Sequence, residues 1–155
     1  MANKDSLKLY KQMCKVIDDI GWTYERDEEK LRVDFSVNGD DLPIKFMMKI
    51  DESMQLISVY SYLDVNVKPE DYSEFAIAIC LVNRKILNGS FDFNPINGTC
   101  LYRINSSYRE SIIDDALFRY LLSVVCSTVD RYNDKLFMLA AGKITLTQFN
   151  DSINS

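Results

Sequence analysis

MQLISVYSYLDV, residues 54–65, is the stretch on which the fold turns, because both of its alternating sets of side chains are substantially apolar. Ile57, Val59, Leu63 and Val65 fall on one side of an extended chain, and Leu56, Tyr60 and Tyr62 on the other. Successive side chains of a strand point to opposite faces, so a segment that is greasy on both sides belongs in the middle of a sheet with both faces covered.

The flanking sequence supplies the rest of that sheet. Upstream, Ile44, Phe46, Met48 and Ile50 alternate with Lys45, Met47 and Lys49, and before them Leu31, Val33, Phe35 and Val37 alternate with Arg32, Asp34 and Ser36. Each is a strand with one apolar face, and the turns NGDDLP (38–43) and DES (51–53) join them. Downstream, NGSFDFNPINGTCLYR (88–103) reads as a hairpin. Phe91 and Phe93 point inward, Pro95 and Gly98 suit the bend, and Cys100, Tyr102 and Ile104 return. Five strands result.

Helices fill the remaining chain. Leu7, Tyr10, Cys14 and Ile17 repeat at helical spacing, with Asp5 or Ser6 as a cap and Gly21 as a stop. Pro69 suits the first turn of a second helix, where Glu70 and Asp71 complement the dipole. YSEFAIAICLVNRKIL (72–87) continues it, with Tyr72, Phe75, Ala76, Ile79, Cys80 and Asn83 on the buried side and Gly89 releasing the chain. Asp114 and Asp115 open a third helix in which Ile112, Ala116, Leu117, Tyr120, Leu121, Val124, Val125 and Thr128 form the apolar run. It loosens near DRYND (130–134) and stops at Gly142. Thr145 with Gln148 makes a capping-box pattern for a short helix over 145–153. The predicted order is α-β-β-β-α-β-β-α-α, an α+β fold with a five-stranded antiparallel sheet and helices mainly on one face. At 155 residues, with no linker or internal repeat, it reads as a single domain over 1–155.

Composition excludes several chemistries. There is no histidine, which removes Ser-His-Asp and Cys-His catalysis and imidazole metal sites, and Ser-x-x-Lys does not occur. The five glycines are spent on helix stops and turns, leaving none for a phosphate-cradling loop. No cofactor, metal or catalytic residue is expected. A net charge of −5 repels polyanions, and the line Lys4, Lys8, Lys11 and Lys15 reads as a solvated helix face, so no nucleic-acid partner is expected. No segment is apolar for long enough to span a membrane, and MANKDSLKLYK lacks the core of a signal peptide. The expected compartment is the cytoplasm.

Cys14, Cys80, Cys100 and Cys126, each single within an apolar run, read as buried reduced thiols. The sequons at Asn88 and Asn97 then lose their meaning as sugar sites and read as turn chemistry. Glu25, Asp27, Glu28 and Glu29 read as a solvated turn. Asp130 is the carboxylate most in need of explanation, because it interrupts an apolar helix.

Asn83, the hairpin with Gly89 and Gly98, and the helix running into VDRYNDKLFMLAAG (129–142) with Asp130 and Tyr132 together resemble the bacterial YbjN family. The fold of that family is similar to that of type III secretion chaperones. The resemblance covers about residues 5–142. It implies a domain that pairs with itself and acts in sensory transduction or stress regulation, brings no catalytic residues, and gives Asp130 and Tyr132 a role in shape.

If Ile57, Val59, Leu63 and Val65 face the helices, then Leu56, Tyr60 and Tyr62 look outward, beside Met47 and Leu101. Either the terminal helices cover this patch or a partner does. The leading expectation is a non-enzymatic protein-interaction module, a regulator, adaptor or chaperone-like protein that binds itself as a homodimer, a protein client, or both. The alternative is a small-ligand domain with a cavity between sheet and helices, and a carboxylate enzyme comes third.

Overall fold

A computed structural model describes residues 4–155. The chain runs α1 (Lys4–Ile20), β1 (Glu25–Asp27), β2 (Arg32–Asn38), β3 (Pro43–Asp51), β4 (Leu56–Tyr62), a 3-10 turn (Pro69–Asp71), α2 (Tyr72–Asn83), β5 (Ser90–Phe93), β6 (Cys100–Ser107), α3 (Asp115–Ala140) and α4 (Leu146–Asn154). The strands form one antiparallel sheet in the order β1-β2-β3-β4-β6-β5. β4 is interior, as its two-sided apolar pattern requires, and β6 lies beside it because α2 and β5 intervene in the chain.

The sheet has six strands, not five. The extra one is β1, which pairs Glu25 with Asp34, Arg26 with Val33 and Asp27 with Arg32, so the expected solvated turn begins only at Glu28. β1 carries no apolar alternation. It is a short, charged edge, the kind of strand that discourages further pairing. Arg26 on its other face reaches Asp18 of α1 at 2.9 Å.

All four helices pack on the same side of the sheet. α1 and α3 lie against β3, β4 and β6, α2 lies against β5, and α4 rests on α2 and α3. Between the layers, Val33, Phe35, Ile44, Phe46, Met48, Ile50, Ile57, Val59, Phe91, Tyr102 and Ile104 meet Met13, Ile17, Phe75, Val82, Phe118, Leu122, Val125, Leu136 and Phe149 in one contiguous core. Each fully buried aromatic or aliphatic side chain contributes about 1.5–3 kcal/mol relative to exposure. Trp22 closes one end, its ring 5.5 Å from Phe35 and 6.3 Å from Phe46, and those two stack on each other at 4.8 Å.

Several boundaries differ from the expectation, each for a local reason. α1 already runs at Lys4, so Ser6 is not its cap; Ser6 is buried and its hydroxyl meets the Tyr108 phenol at 3.0 Å. α2 ends at Asn83 rather than Leu87, leaving Leu87 fully exposed, and Gly89 belongs to the turn before β5 with φ +73°. Within α2 the buried side is Phe75, Ala78, Ile79 and Val82, and Cys80 faces water. The other three thiols are buried or half-buried. β4 spans Leu56–Tyr62 rather than 54–65.

α3 is continuous through 130–134, with no loosening, and Ile112 lies outside it, fully exposed. Asp114 is its N-cap, accepting the Leu117 N–H at 3.1 Å, and Gly142 at φ +67° ends it. The capping box of α4 is present, Thr145 with Gln148 at 3.2 and 2.9 Å.

Candidate interaction surface

The face of the sheet turned away from the helices carries the sequence-predicted patch. Met47 sits directly opposite Tyr60, which sits opposite Arg103, and Tyr62 sits opposite Leu101. Met47, Tyr60 and Leu101 are half-buried and Tyr62 is 50% exposed. These four are brought together. Leu56 shares the face but lies four residues along β4 from Tyr60, about 13 Å away at strand rise, opposite Asp51 and Ser107. Ser58, between them on the same face, is buried.

The charges on this face are largely matched among themselves. Arg32 meets Asp34 at 2.6 Å, Lys49 meets Asp51 at 3.3 Å, and Arg103 meets Asp92 at 2.8 Å. The Met54 N–H and the Ser53 hydroxyl, followed by Lys49, hold the Asp51 carboxyl below its usual range, which fixes the β3–β4 turn at the rim of the patch. Exposed pairs of this kind add little stability, but they leave the surface without a net field of one sign. Among the described residues no helix crosses the patch: α4, the terminal helix expected as one possible cover, lies on the opposite side.

The residues that carried the family resemblance have structural partners. The Asn83 carboxamide pairs with the backbone of Phe91 in both directions, donating to its carbonyl at 2.9 Å and accepting its N–H at 2.8 Å, so a side chain stands in for a strand neighbour. Gly89 has no room for a side chain, because the Tyr102 ring lies against it and the Tyr102 hydroxyl donates to the Asn88 carbonyl at 2.5 Å. Gly98, at φ +74°, lies beneath the Tyr72 ring. Tyr132 is buried edge-on to Phe91, ring centroids 6.1 Å apart. Asp130 accepts the Asp40 N–H at 2.8 Å, a structural duty that occupies the best catalytic candidate. At the sequons, Asn97 accepts from the Thr99 N–H and hydroxyl at 3.1 and 2.8 Å, and Asn88 donates to the Tyr120 hydroxyl.

The alternative reading of the sequence allowed for a cavity between sheet and helices but named none of its residues; the structure has a cleft of about 100 Å³ on the helix side, where the start of β3, the segment after β4 and α3 meet. Leu42, Leu63, Val65, Val129 and Phe137 wall it, and Ser61 and Asn133 supply polar groups. The available signal was a polar Asn133 within the apolar spacing of α3, four residues from both Val129 and Phe137.

No protein-family model and no curated protein matches this sequence. Solved structures do match in shape. YbjN from E. coli, described as a candidate transcription regulator, superposes with a TM-score of 0.60 at 10% identity, over 86% of this chain and 92% of that one. The chain has a YbjN-like fold. The same architecture occurs in a HopA1–SchA chaperone–effector complex, at TM-score 0.59, 6% identity and 86% and 99% coverage of the two chains. It occurs again in an ExsC–ExsE complex, at 0.56, 10%, 83% and 95%. Identities this low speak to the fold, and the YbjN-like fold is thus also chaperone-like in type III secretion terms.

Proposed function

We propose that this protein is a non-enzymatic, cytoplasmic interaction module, an adaptor or chaperone-like regulator, that folds as one domain and pairs with a second copy through the outward face of its sheet. The observation that carries the reading is the uncovered row of Met47, Tyr60, Tyr62 and Leu101 on a sheet whose helices all lie on the other side. A surface with an apolar, aromatic centre and a polar rim has the anatomy of a protein interface. Because the rim charges are matched within each copy, two copies can close this face without bringing unpaired like charges into contact.

Two of the proteins with this architecture are described as chaperone–effector and ExsC–ExsE complexes, which supports a role in holding protein partners. None of the three similar structures is described as an enzyme, and the best acid-base candidate here, Asp130, is engaged by backbone. Among the described residues no helix is long and apolar enough to cross a membrane.

Sedimentation of the full chain tests the proposal. The wild type is expected as a dimer, and the double variant Leu56→Lys with Tyr60→Lys as a monomer with unchanged circular dichroism. A monomeric wild type, or a variant that sediments as the wild type does, overturns the pairing.

A further inference from the structure

The cleft between the β2–β3 turn, the segment after β4 and α3 is built differently from a packing defect. Two of its polar side chains are deeply buried, Ser61 at 1% and Asn133 at 4% exposure. The Ser61 hydroxyl has no hydrogen-bond partner. Asn133 uses its oxygen to accept the Asp134 N–H at 2.7 Å, and its NH2 group, which solvent reaches, makes no hydrogen bond to protein among the described residues. Buried polar groups left unpaired are disfavoured unless something enters to pair with them. Here both line an opening walled by Leu42, Leu63, Val65, Val129 and Phe137, which is the composition of a ligand site: apolar walls and a few converging polar atoms.

We propose that this cleft binds a small neutral molecule, a single ring or short branched chain carrying one hydrogen-bond acceptor, seated between Ser61 and Asn133. Size sets the first limit. A volume of about 100 Å³ is below the ~300–1,000 Å³ of sites for drug-sized ligands and below the ~150 Å³ enclosed cavity that accepts benzene, so a single ring enters with part of it projecting through the open mouth, and nucleotides and larger cofactors do not fit. Charge sets the second. The ionic groups at the mouth, Lys45 and Asp64, pair with each other at 2.5 Å, so neither an anion nor a cation finds an unmatched partner. The Ser61 hydroxyl and the Asn133 NH2 set the third, since both can donate and a purely apolar guest would leave the first unpaired and cut the second off from water. The site is separate from the outward sheet face apart from Lys45 and Tyr62 at its rim.

The test is a titration of the full chain by amide NMR, with benzamide as probe and toluene as the apolar control. Benzamide is expected to give saturable shifts at Ser61, Leu63, Val65, Val129 and Asn133, and to bind about tenfold more tightly than toluene. Ser61→Ala, which removes only an unpartnered hydroxyl, should weaken benzamide and leave toluene unchanged. Asn133→Leu should reverse the preference, with circular dichroism as the check that it folds. Absence of saturable benzamide shifts, shifts centred on other residues, or Ser61→Ala binding benzamide as the wild type does would each overturn the site. Because Tyr62 belongs both to this lining and to the proposed pairing row, the titration is repeated on the Leu101→Lys variant, where the same shifts are expected and separate a failure of the cleft from a failure of pairing.

Discussion

Asp130, in the middle of α3, accepts the backbone N–H of Asp40 at 2.8 Å, joining a helix to the turn of the β2–β3 hairpin across 90 residues of sequence. Gly39 lies beneath that carboxylate, and a side chain there would run into Asp130 and the Leu42 carbonyl. A charge-assisted bond to a backbone donor is among the stronger hydrogen bonds, so Asp130→Ala should lower stability by about 1.5–3 kcal/mol. Asp130→Asn, which retains an acceptor oxygen, should lose less. Urea unfolding followed by the fluorescence of Trp22, which packs on Phe35 and Phe46 of the same hairpin, reads both values. Equal midpoints for the wild type and the alanine variant would remove the tie's importance.

Asn83 holds the edge strand β5 in the same way. Its amide completes the pairing of Phe91 on the side where no strand follows, and Phe91 itself is buried. Asn83→Ala leaves a buried N–H and a carbonyl without partners, at an expected cost of about 1–3 kcal/mol. Hydrogen exchange offers a direct measurement, because the Phe91 amide should exchange much faster in the variant. Unchanged protection would mean that another group serves Phe91.

Much of the fold was legible because the physics that specifies it is local. The two-residue period of 44–50 and 31–37, the two-sided apolar run of β4, and the caps at Asp114, Thr145 and Gly142 all stand in the sequence as they act in the structure. β1 was not legible, because its Glu-Arg-Asp residues bury nothing and pair only through backbone with an edge already made by β2. The continuity of α3 through 130–134 was hidden for a related reason. Its polar residues answer to distant groups, Asp130 to the hairpin turn and Asn133 to the cleft, which no helical period records. Of the outward patch, alternation fixed the face of every residue, but only the strand register separates Leu56 from Met47, Tyr60, Tyr62 and Leu101.

The four cysteines should divide by burial. Cys80 is exposed on α2 and should be alkylated rapidly in the native protein, whereas Cys14, Cys100 and Cys126 should react fully only on unfolding. Burial pushes the Cys100 thiol up to about 12, and burial together with the charge of Asp130 pushes Cys126 up to about 11, from an ordinary value of 9.0. Cys14 and the phenols of Tyr10 and Tyr24 are shifted upward mainly by burial as well. Above about pH 9 the unfolded chain sheds protons that the native chain keeps, so stability falls as pH rises through the interval up to about 12. A urea midpoint that holds or rises between about pH 8 and pH 10 contradicts this.

The pairing surface makes a prediction that separates it from a rival on the same molecule. α2 is apolar nearly all round, and Ile77 on its solvent side is 51% exposed, a feature that could also attract a second copy. The sheet face and Ile77 lie on opposite sides of the layer, so one lysine placed on each distinguishes them. Leu101→Lys puts a charge beside Tyr62 in the outward row, where its one cross-strand carboxylate, Asp92, is already engaged by Arg103, so desolvating the ammonium would cost several kcal/mol in a closed interface, and it should weaken self-association at least about tenfold. Ile77→Lys should leave the sedimentation coefficient at the wild-type value over the same concentration range. The reverse pattern, a monomeric Ile77 variant beside a dimeric Leu101 variant, would transfer the interface to α2 and leave the outward sheet face free for a protein client.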